Sequence, residues 1–103
     1  MAKYVLAYRG GSMAETPEAQ QKAMDAWMGW FGSLGDAVVD GGAPFGPSST
    51  IASDGAASDG GQAALTGYSI LTAATLGEAQ TLAKGCPVLA SGGTVEIYEA
   101  LPM

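Results

Sequence analysis

Two residues at the end of the first apolar run are candidates for recognising an acidic ligand. Tyr8 and Arg9 end that run, and Gly10-Gly11-Ser12 follows them as a loop. A guanidinium group and a phenol at a strand end can orient a carboxylate at the mouth of a pocket. The alternative, which we favour, is that Arg9 forms an ion pair with one of the ten acidic residues of the chain.

Three large aromatic residues lie at helical spacing further along the chain. Trp27, Trp30 and Phe31 would share one helix face and could form the wall of a ligand cavity between that helix and a sheet. The alternative, favoured here, is an ordinary core, because each aromatic side chain buries about 150–250 Å². Met24 and Met28 are expected to pack beside them, in the core or at a dimer contact.

Two carboxylates are candidates for a general base. Asp40 follows a short apolar segment, and Gly41-Gly42 after it would let a ligand approach the backbone closely. Burial would raise the pKa of such a carboxyl group towards the working range of a base. Asp36, which directly follows the predicted first helix, is the second candidate. The favoured alternative for Asp40 is an aspartate that caps its own turn.

A cation and a thiol lie close together near the end of the second predicted helix. Lys84 could stabilise negative charge on a ligand, and Cys86 is the only cysteine. The negative end of the helix dipole opposes a thiolate there, and the chain has no histidine to act as its base. We therefore predict a buried structural thiol. A lone cysteine is also typical of a reducing cytoplasm, the expected location.

Composition excludes several classes of protein. A chain of 103 residues with 48% apolar and 14% charged residues predicts one globular domain, residues 1–103. Its net charge of −6 argues against nucleic acid and anionic membrane surfaces as partners. No secretory signal or membrane span is expected. The repeated Ser-Asp-Gly lacks the spacing of a calcium loop, and the glycine pairs lack the order of a nucleotide-binding loop, so no metal and no cofactor is predicted.

Four strands and two helices must position these residues. Thr16-Pro17 starts the first helix and Gly35 ends it, while Thr75 and Glu78 form a capping box for the second. Leu76 is expected to begin that helix on its buried side. The predicted elements are the strand Lys3–Tyr8, the helix from Pro17 to about Leu34, the strand Ala37–Val39, the strand Thr66–Ala73, the helix from Leu76 to about Lys84 and the strand Thr94–Glu99, with a further short strand at Ser49–Ala52 and a loop or hairpin turn at Ser53–Gln62.

The order β-α-β-β-α-β predicts an α+β, ferredoxin-like protomer with an antiparallel sheet and both helices on one face. The first strand is expected to be buried on both faces, because it has no polar side. We therefore expect the uncovered face to meet a second copy of the chain, sheet against sheet, as a two-fold homodimer.

Several strings resemble the YCII-related family, and more narrowly its DGPF-type branch. They are Gly67-Tyr68-Ser69-Ile70, Leu76-Gly77-Glu78-Ala79, Ala83-Lys84-Gly85-Cys86-Pro87 and Gly92-Gly93-Thr94-Val95-Glu96-Ile97. The resemblance covers nearly the whole chain and implies a dimeric α/β barrel of ferredoxin-like protomers. In that family an enzymatic role has been suggested for a His/Asp pair in the cleft beside the first helix. This chain has no histidine, and Asp36 is the one remnant of the pair.

Three functions follow from these observations. The first is a homodimer that binds a small aromatic or acidic metabolite between helix and sheet. The second is a cofactor-free lyase, isomerase or hydrolase, with Asp40 or Asp36 as base and Arg9, Lys84 or Tyr8 stabilising negative charge. The third is a purely structural dimerisation module. We rank the binding protein first, because the aromatic residues favour it and the residues for catalysis are few.

Overall fold

A four-stranded antiparallel sheet forms the centre of the molecule. The computed structural model describes residues 2–10, 16–59 and 65–102. The strands of the main sheet are β1 (Ala2–Arg9), β2 (Val38–Pro44), β5 (Leu65–Ala73) and β6 (Thr94–Ala100), and two short strands, β3 (Ser49–Ile51) and β4 (Ala57–Asp59), lie apart from it. The order across the main sheet is β2-β5-β1-β6, and all neighbours are antiparallel. The predicted α+β class is confirmed, and the sheet is compatible with a ferredoxin-like fold.

The first helix, α1 (Pro17–Leu34), begins and ends where its capping residues predict. The hydroxyl oxygen of Thr16 accepts a hydrogen bond from the backbone N–H of Ala19 at 3.1 Å. Gly35 follows the helix with a φ of +56°, a conformation that favours glycine. A single 3₁₀ turn, Gly35–Ala37, then leads into β2.

The strand β2 is longer and less regular than the sequence predicts. It continues past Val39 to Pro44, because a bulge accommodates Gly41 and Gly42 within the strand. Its register with β5 shifts between Asp40 and Ala43. Gly42 has a φ of +77°, and a Cβ atom there would lie 1.7 Å from the carbonyl oxygen of Tyr68. Glycine is therefore the one residue type that this backbone geometry accepts.

The second helix, α2 (Leu76–Ala83), is followed by a short helix, α3 (Pro87–Ala90), that the sequence analysis did not predict. The N–H of Glu78 donates to the Thr75 hydroxyl oxygen at 3.1 Å, as the predicted cap requires. Leu76 is 47% exposed, so its predicted place on the buried side of α2 was wrong. Pro87 opens α3 at its first position, where the missing N–H of proline costs nothing.

The hydrophobic core lies between the sheet and the helices. Leu6 and Leu71 are fully buried at its centre. Trp30 is also buried, while Trp27, Phe31 and Leu34 pack against the core and remain partly exposed. The other buried members of the core cluster are Tyr4, Tyr8, Ala73, Ala79, Ala83, Cys86 and Val88. In the part of the chain that the structure describes, no helix has the length and apolarity needed to cross a membrane.

The opposite side of the sheet, here called the outer face, carries no helix. Side chains alternate along each strand, so Val5, Ala7 and Arg9 of β1 share this face with Ile70 of the neighbouring β5. Glu96 and Tyr98 of β6 lie on it as well. Ala7 is buried and Val5 half-buried, but Lys3 and Arg9 give β1 polar ends. The expectation that β1 is buried throughout on both faces is therefore correct only for its middle.

The strands β3 and β4 form a separate two-stranded hairpin. Its strands correspond to the predicted strand at 49–52 and to part of the predicted hairpin turn, and Ile51 is 73% exposed on it. Residues 60–62 of that predicted turn, and residues 11–12 of the predicted first loop, lie outside the described residues.

Candidate functional site: an apolar cleft beside the first helix

A cleft with a volume of about 510 Å³ lies between α1 and the sheet, and we call it the α1–β2 cleft. One wall comes from α1, the opposite wall from residues 41–44 of β2, and the remainder from β1, β5 and α3. The residues that line it, in chain order, are Tyr8, Met24, Trp27, Met28, Phe31, Gly41, Gly42, Ala43, Pro44, Thr66, Gly67, Tyr68 and Val88.

The α1 wall is an apolar stripe that runs along one face of the helix. Met24, Trp27, Met28 and Phe31 recur at the three- and four-residue spacing that places side chains on one face. Met24 is 59% and Met28 68% exposed. Of the two expected places for these methionines, the core was therefore wrong, since they face the cleft and solvent, whereas a dimer contact stays a prediction. Their periodicity with Trp27 was the sequence signal for this wall.

Aromatic rings pack against one another at the back of the cleft. The ring centroids of Tyr8 and Trp27 lie 5.3 Å apart at an interplanar angle of 62°, and those of Trp27 and Phe31 lie 5.8 Å apart at 40°. Such tilted arrangements place the positive edge of one ring against the negative face of another. Trp30 packs edge-on against Trp27 and donates its indole N–H to the carbonyl oxygen of Leu82 at 3.1 Å. Tyr8, Trp27 and Phe31 thus line the cleft, whereas Trp30 belongs to the core.

Missing side chains on the sheet side leave the cleft open. A Cβ atom on Gly41 would lie 3.7 Å from the ring of Phe31, so this glycine faces the α1 wall directly. A Cβ atom on Gly67 would lie 3.1 Å from the carbonyl oxygen of Ala43 and 3.4 Å from the ring of Tyr8. Sequence reasoning identified the first glycine but missed Gly67, although a glycine inside a strand often marks a close backbone approach.

A hydrogen-bonded chain beneath the cleft joins three strands. The Tyr8 hydroxyl donates to the hydroxyl oxygen of Ser69 at 2.7 Å, and the Ser69 hydroxyl donates to the carbonyl oxygen of Gly41 at 2.8 Å. Burial raises the pKa of Tyr8 well above its ordinary value of 10.0. Burial also raises the pKa of the neighbouring Cys86 thiol. The floor of the cleft is therefore uncharged. The hydroxyl groups of Tyr8 and Ser69 already have hydrogen-bond partners within this series.

Arg9 lies on the outer face of the sheet, away from the cleft. Its guanidinium group forms an ion pair with Glu96, which is the alternative that the sequence analysis favoured. The Tyr98 hydroxyl donates to the same carboxylate. The Tyr98 hydrogen bond and, after it, the Arg9 hydrogen bond lower the pKa of Glu96. Successive residues of a strand point to opposite faces, so Tyr8 and Arg9 do not meet in one site.

The two candidate bases and Lys84 also lie outside the cleft lining. One oxygen of Asp40 accepts the backbone N–H of Gly42 at 2.8 Å, and the other lies 3.4 Å from the Tyr68 hydroxyl. Asp40 is exposed and caps its own bulge. Asp36 is exposed in the 3₁₀ turn, and Lys84 is exposed at the end of α2. The structure thus assembles Tyr8, Trp27 and Phe31 but not the carboxylates and cations proposed with them.

No set of three Cys, Asp or Glu side chains within the described ranges is grouped so that it could hold a metal ion. Comparison of the chain with known protein families, with curated protein sequences and with solved structures finds no match in any of the three. Membership of the YCII-related family and a cytoplasmic location both stay predictions.

Proposed function

We propose that this protein binds a small, flat, largely apolar molecule in the α1–β2 cleft. The convergence of three aromatic side chains on this cleft carries the proposal. A volume of about 510 Å³ lies within the usual range of small-molecule sites, which are predominantly apolar and aromatic. The glycine wall opposite Phe31 would let a planar ring lie against backbone on one side and against aromatic rings on the other.

Of the two predicted ligand chemistries, the geometry supports the aromatic one. An acidic ligand needs a cation, and the four Lys and Arg of the chain all lie in its described part without lining the cleft. The geometry also supports binding better than catalysis by Asp36 or Asp40, since neither carboxylate lines the cleft. A two-ring ligand of about a dozen heavy atoms, at about 0.4 kcal/mol per atom, would bind with a sub-millimolar Kd.

A blocking substitution tests this proposal directly. Gly41→Leu adds a side chain where the nearest neighbour is the Phe31 ring at 3.7 Å, and its backbone needs no left-handed conformation. The matched control is Gly46→Leu, because a Cβ atom on Gly46 would have nothing within 4 Å and this residue does not line the cleft. The probe is 1-naphthalenemethanol, and its binding is measured by isothermal titration calorimetry.

The expected result is that the unmodified protein and Gly46→Leu bind the probe equally, whereas Gly41→Leu binds it at least about tenfold more weakly, a loss of about 1.4 kcal/mol. Circular dichroism confirms that each variant is folded. Equal binding by both leucine variants, or no binding by the unmodified protein, would overturn the proposal.

We further propose that two copies pair through their outer faces. Val5, Ala7 and Ile70 form an apolar strip there. Val5 and Ile70 are half-buried in the single chain, so a second copy would cover the part of the strip that is still exposed. Pairing of this kind would leave both α1–β2 clefts on the outside of the dimer.

Sedimentation velocity tests the dimer. The expected particle has about twice the 10.3 kDa chain mass at micromolar concentration. Ile70→Asp should dissociate it, because it places a charge in the apolar strip. Leu76→Asp is the control, since Leu76 is 47% exposed at the start of α2 on the other side of the sheet. A single-chain particle in the unmodified protein, or an Ile70→Asp dimer, contradicts the proposal.

A further inference from the structure

We infer that the ligand of the α1–β2 cleft carries a positive charge, as an aromatic cation or a quaternary ammonium group attached to an aromatic ring. The inference rests on the proposed function and names the class of ligand for that same site. The geometric basis of the inference is a set of aromatic faces with no basic side chain among them.

Aromatic rings attract cations through the negative electrostatic potential of their faces, and tryptophan does so most strongly. The Trp27 ring packs against both Tyr8 and Phe31 in the cleft lining. Because these rings are tilted relative to one another, they do not stack face to face and so present differently oriented surfaces. Trp27 and Phe31 remain partly exposed, and with the nearly buried Tyr8 behind them they form the kind of aromatic cage that recognises quaternary ammonium groups.

The cleft has no positive charge of its own that would repel a cation. Lys3 and Arg9 lie on the outer face, and Arg9 is paired with Glu96. Lys22 is exposed on α1 outside the apolar stripe, and Lys84 is exposed at the end of α2. These four residues are all the Lys and Arg of the chain, so a ligand cation would meet no competing charge.

The rest of the chain favours a cation over an anion. The net charge is −6, which produces a negative potential over much of the surface. The exposed Met24 and Met28 add polarizable thioethers to the rim. An anion would meet none of these favourable contacts.

Three probes that share the naphthyl ring but differ in net charge test this inference. They are the (1-naphthylmethyl)trimethylammonium cation, neutral 1-naphthalenemethanol and 1-naphthaleneacetate, each measured by calorimetry at neutral pH. We expect the cation to bind about 2- to 5-fold more tightly than the alcohol, and the acetate to bind most weakly. Added salt should weaken binding of the cation but not of the alcohol, because screening acts on the charge alone.

Variants assign the charge preference to the cage. Trp27→Leu and Phe31→Leu should each reduce the cation-to-alcohol affinity ratio towards one, whereas Phe45→Leu should keep it. Phe45 stacks on Tyr68 at 5.6 Å and does not line the cleft, so it is a matched aromatic control. Both affinities of a variant are measured on one preparation. A partly unfolded fraction therefore affects both equally and leaves the cation-to-alcohol ratio unchanged.

The outcomes separate this inference from the proposed function. If the alcohol binds and the cation binds no more tightly, or if the acetate binds most tightly, the inference fails while the binding site stands. If the ratio survives in both cage variants, the inference also fails. If the unmodified protein does not bind the alcohol, the proposed function itself fails, and this inference fails with it.

Discussion

The bulge in β2 shapes one wall of the cleft, and substitution of its second glycine tests that geometry. In Gly42→Ala, the new Cβ atom would lie 1.7 Å from the carbonyl oxygen of Tyr68 and 2.6 Å from its carbonyl carbon. Both neighbours are backbone atoms, so no side-chain rotation relieves the overlap. The variant must shift β2 relative to β5 by more than an ångström or change the φ of residue 42.

The cost has two parts that can be calculated from this geometry. A left-handed conformation costs alanine about 1–2 kcal/mol relative to glycine. Overlap in packed structure costs about another 1–3 kcal/mol. The total, about 2–5 kcal/mol, is a large part of the 5–15 kcal/mol that stabilises a typical domain. For a chain of this length, it corresponds to a fall in Tm of at least about 8 °C.

The neighbouring glycine provides the control for this prediction. In Gly41→Ala, the Cβ atom would contact the Phe31 ring at 3.7 Å, an ordinary van der Waals distance. We expect its free energy of unfolding, measured with urea, to stay within about 1 kcal/mol of the unmodified protein or to rise slightly. If the two alanine variants are equally stable, the bulge described here is wrong.

Two further predictions concern the buried hydroxyl and thiol below the cleft. Tyr8→Phe should lower the free energy of unfolding by about 1 kcal/mol, because it removes the hydrogen bond to Ser69 but leaves the Ser69 bond to Gly41. The variant should still bind the naphthyl probe. A loss of naphthyl binding would refute this prediction. Burial raises the folded-state pKa values of Tyr8 and Cys86, so the folded state holds these two protons more tightly than the unfolded state does. The free energy of unfolding should therefore fall as the pH rises above about 9, the ordinary pKa of a cysteine thiol. Urea midpoints that stay constant from neutral to alkaline pH would contradict this second prediction.

The helix boundaries could be predicted from the sequence because their determinants are local. Thr16, Gly35 and Thr75 act on backbone groups within a few residues, so their positions alone place α1 and the start of α2. The extension of β2 could not be predicted in this way. It depends on how Gly42 meets the carbonyl group of Tyr68, a contact between residues distant in sequence.

The candidate site was predicted in part for similar physical reasons. Helical spacing grouped Trp27, Trp30 and Phe31, but spacing alone does not show which ring enters the core and which faces a cleft. That division depends on the separation of α1 from the sheet, which Gly41 and Gly67 keep open on the sheet side. In contrast, the side chains of Tyr8 and Arg9 point to opposite faces of the sheet because adjacent residues of a strand alternate in direction.

Titration of the isotope-labelled protein with 1-naphthalenemethanol, followed by ¹H–¹⁵N NMR, shows which residues surround the bound ligand. We predict that the Trp27 indole N–H and the amides of Gly41 and Gly67 shift with a single Kd. The signals of Arg9 and Glu96 on the outer face should stay in place. If the largest shifts lie on the outer face, or if no signal at the cleft shifts saturably, the ligand does not bind in the α1–β2 cleft.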